Sequence, residues 1–111
     1  MKALMLKDMK RGWFVGAFEP TALRTDLCEA AVKHFQAGDK EAAHFHKIAT
    51  EVSVVISGEV KMFNKVWKPG DIVIAEPGDV TSFEALTDAV LSVVKLPGVL
   101  NDKYLAEEPD D

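Results

Sequence analysis

Turn-forming residues cut this chain into short runs rich in β-branched and aromatic residues, and no stretch keeps the 3.6-residue apolar period of a helix. Glu19-Pro20, Ala37-Gly38-Asp39, Lys68-Pro69-Gly70-Asp71, Glu76-Pro77-Gly78-Asp79, Thr87-Asp88 and Pro97-Gly98 mark the breaks. Between them, residues 12–18, 27–36, 52–56, 72–74, 82–86 and 89–96 read as strands, and Thr87-Asp88 reads as a tight turn between the last two. Residues 59–63 and 66–67 read as the arms of a hairpin with Asn64-Lys65 as its turn. Residues 1–11 show no period and are expected to pair or fray at a sheet edge. Short strands at this spacing, with no helix to cover a parallel sheet, predict an all-β sandwich or barrel of antiparallel strands.

One domain is expected from 111 residues, long enough to bury a core without a disulfide or metal to staple it. The formal net charge of −5 sets the surface against phosphate backbones and anionic lipid, so neither nucleic acid nor membrane is expected as a partner. Cys28 is the only cysteine, which excludes an internal disulfide and a cysteine-rich zinc site and suits a reducing compartment. Charged residues interrupt the first eleven positions, leaving no apolar core for a signal peptide, and stretches such as 52–56 and 89–94 are too short to span a bilayer. A soluble, cytoplasmic protein is expected.

The chemistry concentrates in residues 38–58. With residues 43–47 extended, the two-residue side-chain period puts His44 and His46 on one face and Phe45 on the other. Glu51 follows a four-residue connection and opens the run Val52-Ser53-Val54-Val55-Ile56. If that run is the antiparallel partner of the histidine strand, the Glu51 carboxylate returns beside the imidazoles. Two neutral nitrogens and one anionic oxygen on one side form the arrangement that holds Fe(II) and similar divalent metals. His34 lies outside this stretch and is read as a surface or hydrogen-bonded strand histidine.

Glycine, five residues, His-x-His, four residues, Glu, six residues and glycine, from Gly38 to Gly58, resembles the first signature motif of the cupin superfamily with every position filled. The resemblance implies a single-domain jelly-roll barrel over residues 1–105. It also implies one divalent metal (Fe, Mn, Ni, Co or Zn) on His44, His46 and Glu51, a small-molecule substrate, and a homodimer. Residues 106–111, with four acidic side chains, are expected to be a flexible, solvated tail, and Tyr104 offers the segment before it a way to fold back on the barrel.

Gly70-Asp71-Ile72-Val73-Ile74-Ala75-Glu76-Pro77-Gly78 resembles the start of the second cupin motif, with its proline one position late. The histidine of that motif is replaced by Thr81 and its asparagine by Ala85, so the fourth protein ligand is missing; a threonine hydroxyl brings a dication no charge. Either water completes the shell, or Asp79 or Glu84 reaches in, although Asp79 reads as a turn residue and Glu84 as a solvent-facing one.

Three functions stay open. The first is a metal-dependent enzyme acting on a sugar, keto acid or diol by isomerisation or oxygen chemistry. The second is a metal-free sugar or nucleotide-sugar isomerase or epimerase with His44 or His46 as acid or base and Glu51 orienting one ring. The third is a non-catalytic ligand-binding or sensor module.

Overall fold

The computed structural model describes residues 1–107. Ten strands follow one another: β1 (Trp13–Val15), β2 (Glu29–Phe35), β3 (Lys40–Phe45), β4 (Thr50–Ser57), β5 (Val60–Met62), β6 (Lys65–Trp67), β7 (Ile72–Ala75), β8 (Thr81–Ala85), β9 (Ala89–Leu96) and β10 (Tyr104–Leu105). They form two five-stranded antiparallel sheets, ordered β1-β2-β9-β4-β7 and β10-β3-β8-β5-β6. This is the expected all-β jelly roll. Among the described residues no helix is long and apolar enough to cross a membrane.

The two-residue period sorts each strand into an inner and an outer row. On β9, Ala89, Leu91 and Val93 are buried, and on β8, Thr81, Phe83 and Ala85. With Ala31, Val55, Val60, Met62 and Val73 the apolar ones among these inner residues form one core between the sheets. Ser53 and Val55 point inward on β4, so its outer row, Val52, Val54 and Ile56, is apolar as well.

Several sequence expectations are corrected. Residues 1–11 do not pair as an edge strand; Leu6–Asp8 and Lys10–Gly12 are single 3₁₀ turns, the second packed against β2. Only Trp13–Val15 of the first extended stretch joins a sheet. The hairpin turn is Phe63-Asn64, not Asn64-Lys65: Met62 faces Lys65, and both turn residues have positive φ (52° and 57°), the geometry that suits the twist of a two-residue hairpin. Phe63 tolerates it because its ring packs against the core and its N–H donates to the Thr81 hydroxyl at 2.8 Å. Thr87-Asp88 does not close a hairpin, since β8 and β9 lie in opposite sheets. The same holds for residues 46–49: β3 and β4 are not paired partners but belong to different sheets.

Tyr104 and Leu105 pair with Phe45 and His44, and the Ala106 N–H donates to the Ala43 carbonyl, so the segment after residue 100 folds back as an edge strand. The Tyr104 ring packs on Phe45 at 5.5 Å between centroids and receives the Lys47 ammonium on its face at 4.1 Å. From residue 108 on, the expected acidic tail lies outside the described residues.

Candidate functional site

A cavity of about 410 Å³ opens between the two sheets, lined by inner-row side chains of both. Met62, Phe83, Leu91 and Val93 give it an apolar wall, and His44, His46 and Glu51 lie among its polar lining. The three residues singled out by spacing therefore share one cavity, but not by the route expected. His44 lies one residue before the end of β3 in one sheet, His46 follows just beyond that strand, and Glu51 enters from β4 in the other sheet.

Both imidazoles are held through Nδ1. His44 Nδ1 lies 2.9 Å from the Ala42 carbonyl oxygen and His46 Nδ1 lies 2.6 Å from that of Asp102. A carbonyl only accepts, so each Nδ1 carries a hydrogen, and Nε2 is the nitrogen whose lone pair a neutral ring offers to the cavity. That is the tautomer a metal-ligating histidine adopts when a backbone carbonyl orients it. His46 Nε2 stands 3.8 Å from Glu51 Oε1, with the imidazole buried and the carboxylate about a quarter exposed. A lone pair facing a carboxylate is relieved by a proton or a cation between them. The His44 ring is nearly perpendicular to that of His46, with centroids 5.6 Å apart. The donors fit a divalent cation in kind, yet among the described residues no three His, Cys, Asp or Glu side chains already form a cluster that could hold one.

Asp102, which no local pattern marks, anchors this corner. Its carboxylate accepts the N–H groups of Lys47, Ile48 and Ala49 at 3.0, 3.0 and 2.9 Å, closing the loop between His46 and β4, while its carbonyl oxygen fixes His46. Burial raises the Asp102 carboxyl's pKa, but the N–H groups of Ala49, Lys47 and Ile48, with the adjacent His46 imidazole, outweigh it and hold it below the usual aspartate value.

A second polar group was hidden in the strand phase. Lys95 continues the inner row of Ala89, Leu91 and Val93, and Glu29 and Lys33 continue that of Ala31. Glu29 and Glu51 flank Lys95 on one cross-strand row. The Lys95 ammonium lies 3.4 Å from Glu29 Oε1, both side chains nearly buried, while Glu29 Oε2 is buried with no hydrogen-bond partner among the described residues. Lys33 Nζ lies 3.3 Å from Glu41 Oε2, and both ammonium groups sit near the Trp13 ring, at 5.7 and 5.8 Å from its centroid.

The residues offered as a fourth ligand lie elsewhere. Thr81 pairs with His44 along the backbone, but its hydroxyl accepts from Phe63 N–H and donates to the Ser82 carbonyl oxygen. Asp79 is a turn residue whose carboxylate accepts the Glu76 N–H at 2.9 Å. Glu84 sits on the phase opposite Phe83 and points away from the cavity. His34 is exposed on the outer row of β2, and Cys28 is a free thiol.

No family model matches the chain, and no curated protein does. Solved structures do. An uncharacterized conserved protein with a double-stranded β-helix domain from Klebsiella pneumoniae is 30% identical, over 76% of this chain and 74% of that one, with a TM-score of 0.68. KdgF from Halomonas sp. is 21% identical, over 69% and 74% of the two chains, with a TM-score of 0.62. The DMSP lyase DddQ from Ruegeria pomeroyi is 22% identical, over 84% of this chain and 49% of that one, with a TM-score of 0.65. The identity and coverage of the Klebsiella structure, the paired sheets and the complete Gly38–Gly58 motif agree: this chain belongs to the cupin superfamily of double-stranded β-helix proteins.

Proposed function

We propose that the chain is a small cupin enzyme whose cavity takes one oxygen-rich small molecule, with His44, His46 and Glu51 holding one divalent metal beside it. The supporting observation is the pair of imidazoles locked as Nδ1–H tautomers, with a carboxylate 3.8 Å from one free Nε2. Iron, manganese, nickel, cobalt and zinc all suit this donor set. Such an ion supplies Lewis acidity for polarising a carbonyl or acidifying water. The chain's own residues do the rest. Asp102 fixes the His46 ring, and Phe83, Leu91 and Val93 keep one wall of the cavity dry. The fold supports catalysis in at least one similar protein, the DMSP lyase.

Elemental analysis after reconstitution tests this. The native protein is expected to retain close to one ion per chain, and His46→Ala to lose it; unchanged metal content in that variant would remove the assignment. The same 3.8 Å contact favours a second reading, in which a proton bridges His46 and Glu51 and the pair works as the acid, with His44 Nε2 as base. That reading expects the chelated protein to exchange deuterium into a keto-sugar in heavy water, and no exchange across a panel of such sugars would sink it.

A reducing, cytoplasmic setting suits the lone Cys28. A homodimer suits the outer face of the first sheet. There Ile56, Ile72 and Ile74 are each more than half exposed beside Val52 and Val54, and β7 is an uncovered edge. Light scattering at micromolar concentration is expected to give twice the chain mass, and Ile72→Asp/Ile74→Asp a single chain mass; a native monomer would refute the dimer.

A further inference from the structure

We propose that Glu29 and Lys95, with Lys33 and Trp13, form a subsite for a monosaccharide acid, Glu29 accepting a substrate hydroxyl and the two ammonium groups its carboxylate. This rests on the reading of the cavity as an active site and names the class of molecule that enters it.

Three observations carry it. Glu29 Oε2 is buried and, among the described residues, has no hydrogen-bond partner, although it belongs to a residue that lines the cavity. A carboxylate oxygen out of water needs a donor, and once the Glu29 carboxylate turns toward the cavity a substrate hydroxyl supplies one. The second observation is the pair of lysines. Each ammonium has three hydrogens and, among the described residues, one carboxylate partner within 4 Å, so each can still donate. Trp13 lies near both and brings a flat apolar ring beside them. The third is charge. The cavity is lined by five cationic side chains (Lys10, Arg11, Lys33, Lys95 and Lys103) against four carboxylates, on a chain whose net charge is −5. The lining thus carries a small positive excess on a chain that is acidic as a whole, which favours an anionic group over a carboxylate-free ligand.

Placement ties the subsite to the proposed centre. Glu29 and Glu51 lie two strands apart on the row that Lys95 divides. Their backbones are therefore about 10 Å apart, with Lys95 on the strand between them, so one small molecule over Lys95 can meet both carboxylates. A plain aliphatic acid would leave Glu29 Oε2 without a donor, and an uncharged polyol would leave the ammonium hydrogens unused.

Titration calorimetry on the metal-reconstituted protein tests this with three probes of similar length: gluconate, sorbitol and hexanoate. Gluconate is expected to bind at least tenfold more tightly than either of the others. The double variant Glu29→Gln/Lys95→Met removes the pair together, so no lone charge stays buried, and is expected to weaken gluconate at least tenfold while keeping its metal. Lys33→Met gives a second, independent reduction should the double variant not fold. Gluconate binding unchanged in a folded variant, or a native protein that prefers sorbitol or hexanoate, would overturn the subsite. A native protein that holds metal yet binds none of the probes overturns the subsite and leaves the metal assignment standing. Gluconate binding lost in the variant, on a protein that never holds metal, does the reverse.

Discussion

Asp102→Ala is expected to lower the stability of the folded chain by about 3 kcal/mol, or about 12 °C in Tm, the most that any single polar substitution outside the cavity should cost. The carboxylate accepts three N–H groups, and a hydrogen bond to a charged group contributes about 1.5–3 kcal/mol. The full sum is not expected, because Lys47 and Ile48 are exposed and water can reach their N–H groups once the carboxylate is gone. Ala49 is fully buried, and its orphaned N–H carries most of the cost. Since the Asp102 carboxyl titrates below the usual aspartate value, its contribution is complete above the unfolded value of about 3.9 and fades as pH falls through the lower, folded one. The gap in Tm between native protein and variant should thus be constant from pH 7 to 5 and narrow below about pH 4. Asp102→Asn, which keeps one accepting oxygen, should recover part of it. A gap that persists undiminished to pH 3 would show that the carboxylate charge is not what holds the loop. Because the same residue's carbonyl oxygen fixes His46, the loosened loop is also expected to weaken metal retention by about tenfold.

Asp102 also shows where reading the sequence stops. His44, His46 and Glu51 are legible because their spacing lies within one short stretch, where a strand period fixes which side chains share a face. Asp102 acts on that stretch from 53 to 56 residues away, and nothing around Asn101-Asp102-Lys103 distinguishes it from a turn. Glu51 reaches the cavity of the histidines by a path other than the one its spacing suggests. A four-residue connection between extended segments looks the same whether it closes a hairpin or carries the chain from one sheet to the other, and only the pairing of β4 with β7 and β9 decides. Lys95 and Glu29 were readable in part. The inner phase of β9 runs Ala, Leu, Val, Lys and that of β2 runs Glu, Ala, Lys, Phe, but a charge at the end of an apolar row reads equally well as a strand leaving the core. Phe63 failed for a tertiary reason, since its positive φ is stabilised by a hydroxyl on β8 and by core packing, neither of which its neighbours announce.

The two glycines that bound the signature stretch are expected to differ in what they tolerate, although spacing treats them alike. Gly58 has φ +80°, and an added Cβ there would meet the Asp88 carbonyl oxygen and the Cα and Cβ of Ala89. Gly38 has φ +93°, and an added Cβ would meet nothing within 4 Å. Left-handed backbone costs an L-residue about 1–2 kcal/mol, so Gly38→Ala should lose about that much. Gly58→Ala should lose about 3–4 kcal/mol, because the colliding atoms are backbone at the start of β9 and cannot rotate aside. The consequence reaches the site. Gly58 is where β4, having carried Glu51, leaves the first sheet for β5 in the second, and β4 already absorbs a bulge between Val55 and Ser57 against β9. Moving the Asp88–Ala89 backbone to admit a methyl group shifts β9 along the strand pair that aligns Lys95 with Glu51. Urea unfolding of the two variants measures the difference, and metal retention in Gly58→Ala is expected to fall with it while Gly38→Ala keeps native retention. Equal losses in the two variants would place the whole constraint in backbone φ, and the close approach of Gly58 to the β8–β9 connection would then have no part in holding the two sheets in register.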